Sequence, residues 1–194
     1  MRIKLAILLA ASIVALSAMA ADAQGHHDAR GAVPARGMVA IGGSVGAAPS
    51  LEASFTNGFD LTGNIEGYLT RRVSIRAQVG GAWWDITGRG FSGTVKPVAF
   101  DGNVVCNFEG GRIHPYVTGG VGLYHYRFAE TPTTGSADKP GTNVGGGVEY
   151  FVHRHATITG EVLFHATAQP LQSPVTTYNN TRYWTVTAGM KKYF

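Results

Sequence analysis

From about residue 38 to the last residue, the chain alternates between apolar and polar positions in segment after segment. In "FDLTGNIEGYL", Phe59, Leu61, Ile65 and Leu69 fall on one side, and Asp60, Thr62, Asn64, Glu66 and Tyr68 on the other. A period of two is that of a strand with two unlike faces. Seven further segments repeat it. One lies near 38–47, with Val39, Ile41 and Val45 on its apolar face. "VSIRAQVGGAWW" sets Val73, Ile75, Ala77, Val79 and Trp83 against Ser74, Arg76 and Gln78. The stretch 96–108 sets Val98, Phe100, Val104, Cys106 and Phe108 against Asp101, Asn103 and Asn107. "PYVTGGVGLYHYRF", "TNVGGGVEYFV" and "ATITGEVLFHATA" follow, with Leu163 breaking the rule in the last of these. "TRYWTVTAGMKKYF" closes the chain, with Trp184, Val186, Ala188, Met190, Lys192 and Phe194 on one face.

Eight strands of roughly 9–11 residues are enough to cross a bilayer as a small closed barrel. The connections alternate in length. "TRR", "EGGRIH" and "HRH" are short, whereas the stretches near 48–58, 86–94, 129–141 and 169–181 are longer. Short periplasmic turns and longer surface loops give this alternation, with the chain starting and ending at the periplasmic side. The pattern therefore predicts an all-β fold: an eight-stranded antiparallel transmembrane β-barrel of up-and-down topology over 38–194.

The N-terminus adds an export signal. Arg2 and Lys4 precede an apolar run, and small residues then form two cleavage sites, after Ala20 and after Ala23. Residues 1–23 read as a cleaved signal peptide, and 24–37 as a flexible periplasmic tail. Net charge is +4 and scattered, which gives no reason to invoke nucleic acid. A single cysteine, Cys106, excludes an internal disulfide framework, and it reads as a small lipid-facing residue. Charged residues make up only 14% of the chain, against about 25% in a soluble domain. That shortage separates a membrane barrel from a soluble one, whose exterior would carry the charge.

The apolar faces carry aromatics near the strand ends. Phe59, Trp83 and Trp184 would form a girdle at the surface end, and Phe108, Tyr150 and Phe194 one at the periplasmic end. Trp84, next to Trp83, falls on the inner face. The polar faces point into a lumen just wide enough to be filled by side chains. Glu66, Arg76, Asp101, Glu149, Glu161 and His165 are expected there as a packed network, with Arg76 bridging acids such as Glu66 or Glu161, because buried charges must be paired. The "TRR" and "HRH" turns, with Lys191 and Lys192, place positive charge at the periplasmic rim, within reach of anionic headgroups.

"PYVTGGVGLYHY", "NVGGGVEYFVHRHATITGEVLFH" and the terminal Phe194 resemble the small outer-membrane barrels of the outer-membrane protein A, outer-membrane protein X and opacity-antigen type. The resemblance spans about 38–194. It implies residence in a Gram-negative outer membrane among lipids and lipopolysaccharide, and roles in membrane integrity, adhesion or resistance to host defence. It also implies that Phe194 is part of the signal read by the barrel-assembly machinery. Lys192, two residues before the end, departs from the usual aromatic or apolar residue there.

Three further chemistries were weighed. His165 and Thr167, with Glu161 on the same face, echo the His-x-Ser pair and acid of a barrel-type lipid A deacylase. Here the hydroxyl belongs to Thr, and the alternation turns both residues away from lipid, so the expectation is a non-enzyme without a cofactor. A gated narrow pore is the alternative to a structural barrel. If cleavage follows Ala23, Gln24, Gly25 and His26 would form an amino-terminal site suited to Cu(II) or Ni(II).

Overall fold

Alternation on this scale leaves each strand with one apolar face and a row of unpaired backbone groups on each side. In lipid both problems are solved together by closing the sheet, which pairs every edge. The computed structural model describes residues 34–52, 55–56, 58–88, 91–108, 110–130, 133–173, 177–178 and 181–194. The barrel strands are β1 (Val39–Ala48), β2 (Gly58–Tyr68), β3 (Val73–Gly88), β4 (Phe91–Asn107), β5 (Ile113–Glu130), β6 (Thr133–His153), β7 (Ala156–Thr167) and β10 (Tyr183–Tyr193). Two short strands, β8 (Leu171–Gln172) and β9 (Thr177–Tyr178), pair with each other between β7 and β10. Every barrel strand pairs antiparallel with its chain neighbour, and β10 closes on β1 from Ala40↔Tyr193 to Ala47↔Val186. The eight strands, their order and the closure are those expected from the sequence.

Both faces also fall as the alternation requires. Ile41, Leu61, Ile65, Val79, Phe100, Val121, Leu123, Val144 and Met190 are all exposed on the outer wall, as is Cys106. Glu66, Arg76, Asn103, Glu149, Thr157 and Lys191 are buried in the lumen. Leu163 follows the inward geometry of its position and is buried too. Phe59, Trp83 and Trp184 are exposed at one end, and Phe108, Tyr150 and Phe194 at the other. Phe164 joins the first girdle, 4.9 Å from Trp184 between ring centroids.

Strand length differs from expectation. β3, β4, β5 and β6 run to 16, 17, 18 and 21 residues. The stretches 86–94 and 129–141, read from sequence as loops, are mostly strand. The physical reason is an inversion of phase at the outer girdle. Below Trp83 the outward residues of β3 are apolar, whereas Asp85, just above it, is exposed and polar while Trp84 and Ile86 turn inward. On β4 and β5, Lys96 and Arg127 point outward, and Val95, Tyr126 and Phe128 inward. A ribbon that has left the bilayer buries its apolar face against its neighbours and gives water its polar one. The alternation therefore continues with its sign reversed. β4 also carries Pro97, which lacks an N–H, and the β3–β4 register passes from Gly81↔Val98 to Trp84↔Val95 without a pair at Pro97.

The segment 1–33, which includes the expected signal peptide and Gln24, Gly25 and His26, lies outside the described residues. The last part of the expected flexible tail is not loose. Pro34 is buried, and Gly37 N donates to Tyr68 O at 2.8 Å, tying the entry of β1 to the end of β2. Gly37 adopts φ +86°, a conformation that favours glycine.

Candidate functional site: a layered, sealed lumen

The inward residues of eight strands meet in three layers. At the end where β1 enters and β10 finishes, Tyr68, Phe151 and Tyr193 pack with Ala40, and Met38 lies against them. The Tyr68 and Tyr193 hydroxyls are 3.2 Å apart. Tyr193 also donates to Glu149, which couples this aromatic floor to the charges above it.

The middle layer is the ionic network. The β2–β3 register sets Glu66 opposite Arg76, and Arg76 Nε donates to Glu66 Oε2 at 3.0 Å. Arg76 reaches across the lumen with Nη1 to Glu161 on β7, while its Nη2 is buried without a partner. Tyr116 on β5 donates to the same Glu161 oxygen at 2.8 Å, and its ring lies 5.2 Å from the Arg76 guanidinium carbon. Ser74 donates to Glu66 at 2.5 Å. Lys191 on β10 completes the chain, with its Nζ 2.6 Å from Glu66 Oε2 and 2.5 Å from Glu149 Oε1. Its Nζ also lies 5.5 Å from the Tyr116 ring centroid. Three carboxylates thus share two cations, each donor held by several acceptors. Such multiple pairing is what makes charge tolerable away from water.

Lys191 corrects the sequence reading. It was placed with Lys192 at the periplasmic rim, yet it is 4% exposed and belongs to the network. Period two puts neighbours on opposite walls. Lys192 remains outside, its Nζ 5.1 Å from the Phe194 ring centroid. Arg71, Arg72 and Arg154 stay exposed at the turns.

The other two expected network members, Asp101 and His165, are in the lumen but outside the ion-pair chain. Their level holds a void of about 10 Å3 lined by Asp60, Thr62, Gln78, Asp101, Glu161 and His165, among others. That is room for about one water-sized sphere. His165 is stacked on Tyr183 with centroids 4.5 Å apart, its Nδ1 is 3.0 Å from Tyr124 Oη and its Nε2 3.3 Å from Thr185 Oγ1. Thr167 bonds instead to Tyr126 and Thr181, at 3.1 and 2.7 Å. His165 and Thr167 do not hydrogen-bond each other among the described contacts. Each has other partners, and both face inward.

The top layer is an aromatic plug around Trp84. Phe55 stacks on Trp84 at 5.6 Å and meets Tyr178 edge-on at 5.0 Å, while Tyr183 meets Trp84 edge-on at 4.9 Å. Tyr126, Phe128, Ile86, Val95 and Leu171 are buried in the same cluster. Phe55 and Tyr178 come from the connections rather than the barrel strands, so no strand period marks them. Trp84 Nε1 donates to Ala48 O at 2.6 Å, which satisfies the one polar atom of the indole.

No protein-family model and no characterised protein matches the sequence. Solved structures do match the fold. The crystal structure of neisserial surface protein A aligns with a TM-score of 0.63 at 12% identity, over 82% of this chain and 100% of that one. The outer membrane protein OprG of Pseudomonas aeruginosa aligns at 0.60 with 14% identity, over 82% and 97%. The attachment invasion locus protein Ail of Yersinia pestis, in complex with the heparin analogue sucrose octasulfate, aligns at 0.59 with 13% identity, over 82% and 99%. The shared feature is the fold, an eight-stranded barrel, at 12–14% identity.

Proposed function

We propose that the protein is an integral outer-membrane barrel with a closed lumen, a non-enzymatic element of the membrane and its surface rather than a conduit. The observation that carries this reading is the layering of the lumen. Aromatic layers cap both ends of a chain of ion pairs, and a void between them measures about 10 Å3. The expected result is electrical silence. Mature protein refolded into a planar bilayer, its folding verified by a heat-dependent gel shift, shows no conductance steps across repeated insertions. Reproducible steps would overturn the closed-lumen reading and favour the gated pore.

The outer end favours contact with phosphorylated lipid. Lys96 and Arg127 stand directly opposite each other on the outward face of β4 and β5. Like charges in that position repel, and neither has an ion-pair partner among the described residues. Just beyond the outer girdle, they fit the phosphates of lipopolysaccharide.

Phe194, exposed at the end of β10, fits an address read by the barrel-assembly machinery. Phe194→Ala is expected to lower the folded fraction in the outer membrane of cells, while the purified protein still refolds in detergent. Equal loss in both settings would make the residue structural instead.

A further inference from the structure

The barrel exterior is cationic at one end. Among the described residues, Arg36, Arg71, Arg112, Arg154 and Lys192 are exposed at the end where β1 begins and β10 finishes, beside Phe108, Tyr150 and Phe194. None of the exposed side chains described at that end is Asp or Glu, whereas Asp85 and Asp138 stand at the other end, near Trp83. The connections 69–72, 108–112 and 154–155 turn back directly at the cationic end, while β3 to β6 run on past the girdle at the other. Short turns of that kind are the periplasmic ones of a bacterial barrel. Basic residues at that level meet the headgroups of the phospholipid leaflet.

Part of this cationic end is a shaped groove. It lies on the outer wall over the seam where β10 closes on β1, has a volume of about 690 Å3, and is lined by Ile41, Gly43, His153, His155, Met190 and Lys192, among others. The register accounts for its shape. His153 pairs with Ala156, Ala156 with Lys192, and Lys192 with Ile41, which sets these residues in one row across β6, β7, β10 and β1. Two strand spacings separate His153 from Lys192, about 10 Å, and only the methyl of Ala156 stands between them. Both longer side chains can therefore close on one anion from either side. The His155 ring is 6.1 Å from that of His153 between centroids. No carboxylate pairs with Lys192 among the described residues. One row nearer the bilayer centre stand Ile158, Met190 and Gly43. Gly43 leaves that floor bare, since a Cβ there would meet only Thr62 O, at 3.6 Å. A polar cup thus opens onto an apolar trough that runs into the membrane.

We propose that this groove binds a diacyl anionic phospholipid, with its phosphate between Lys192, His153 and His155 and one acyl chain along Met190 and over Gly43. The ammonium supplies charge, and each imidazole supplies an N–H for a phosphate oxygen. The chain covers the wall that Gly43 leaves bare. Headgroup choice follows from the charges present. A zwitterionic lipid brings its own ammonium, and no exposed acid described at this end receives it. A phosphatidylglycerol-type headgroup brings none. The site is distinct from the Lys96–Arg127 pair, which lies at the opposite end of the barrel.

The test offers the refolded mature protein, in neutral detergent, an equimolar mixture of phosphatidylglycerol and phosphatidylcholine with the same acyl chains. Native mass spectrometry counts the lipid retained. One phosphatidylglycerol per chain is expected, preferred about fivefold or more, the worth of one cation beside an anionic headgroup. Lys192→Gln with His153→Gln and His155→Gln abolishes the preference. Gly43→Leu keeps every charge but fills the trough, and it lowers retention of lipid of either kind. The room at Gly43 lets that variant fold, and a heat-dependent gel shift verifies folding in each protein. Lys96→Gln with Arg127→Gln leaves the preference unchanged. Millimolar inorganic phosphate does not displace the lipid. Equal retention of the two lipids by the unmodified protein would overturn the proposal. So would a preference that survives the triple variant, is lost in the Lys96 and Arg127 variant, or yields to free phosphate. Bilayer silence is unaffected by any of these results, so this site and the closed-lumen reading stand or fall separately.

Discussion

Arg76→Ala is expected to destabilise the barrel by about 3–5 kcal/mol, the cost of breaking a buried ion pair by removing one partner. The side chain is 1% exposed and holds Glu66 and Glu161 from opposite sides of the lumen. Without it three glutamates face the single ammonium of Lys191, and Glu161 keeps only the Tyr116 hydroxyl among these partners. The loss comes from stranded charge rather than from a missing attraction. Two controls follow from that distinction. Arg76→Lys keeps the charge but not the forked reach to two acceptors, and falls between the two extremes. Arg76→Leu combined with Glu161→Leu removes charge of both signs and recovers much of the stability. Urea titration of the refolded protein in detergent, read by gel shift and tyrosine fluorescence, measures all three. A loss below about 1 kcal/mol for Arg76→Ala would mean that the network is solvated. In that case the lumen is open to water and the gated pore becomes the better reading.

That Arg76, Glu66 and Glu161 share one face of the sheet was legible in the sequence, because period two constrains so much at once. Once Ile65 and Ile75 are assigned to lipid, Glu66 and Arg76 have only the lumen left. Antiparallel neighbours of matched length then bring them level. The same rule places Lys191 inside. A lysine beside a chain end suggests a solvated rim, and that suggestion hides its parity. The ribbons of β3 to β6 were missed for a different reason. Asp85 and Asp138 look like loop residues when membrane strands are expected to be apolar outside. Strand structure outlasts the bilayer, and the sign of the alternation marks where the solvent changes. The plug was the least legible part. Trp84 could be assigned by parity, but Phe55 and Tyr178 reach it from connections that obey no period. Tyr124 and Tyr126 also turn inward, and their hydroxyls are only the tips of large apolar rings. Likewise, parity puts Asp60 and Asp101 in the lumen but does not tell which acids find a cation there.

Trp84→Ala is the second large effect, expected at about 3–5 kcal/mol. The indole is 2% exposed between Phe55 and Tyr183, and its loss also strands Ala48 O, which places the cost toward the upper part of that range. The strand below it is shaped for this one ring. At Gly58 a Cβ would come 2.4 Å from Trp84 Cδ1, so β2 presents bare backbone to the indole. Trp84→Phe keeps most of the packing but forfeits the bond to Ala48 and falls well short of the alanine loss. What separates packing from sealing is the electrical result. Trp84→Ala opens the top layer only. The ionic chain and the Tyr68–Tyr193 floor still fill the lumen beneath it. The destabilised variant is therefore expected to stay silent in a planar bilayer. Steps appearing in Trp84→Ala would assign the whole barrier to the aromatic plug and reduce the charges below it to a scaffold. Silence together with the stability loss would mean that the seal is redundant. Redundant closure is what a barrel needs if its task is to stand in the membrane without leaking.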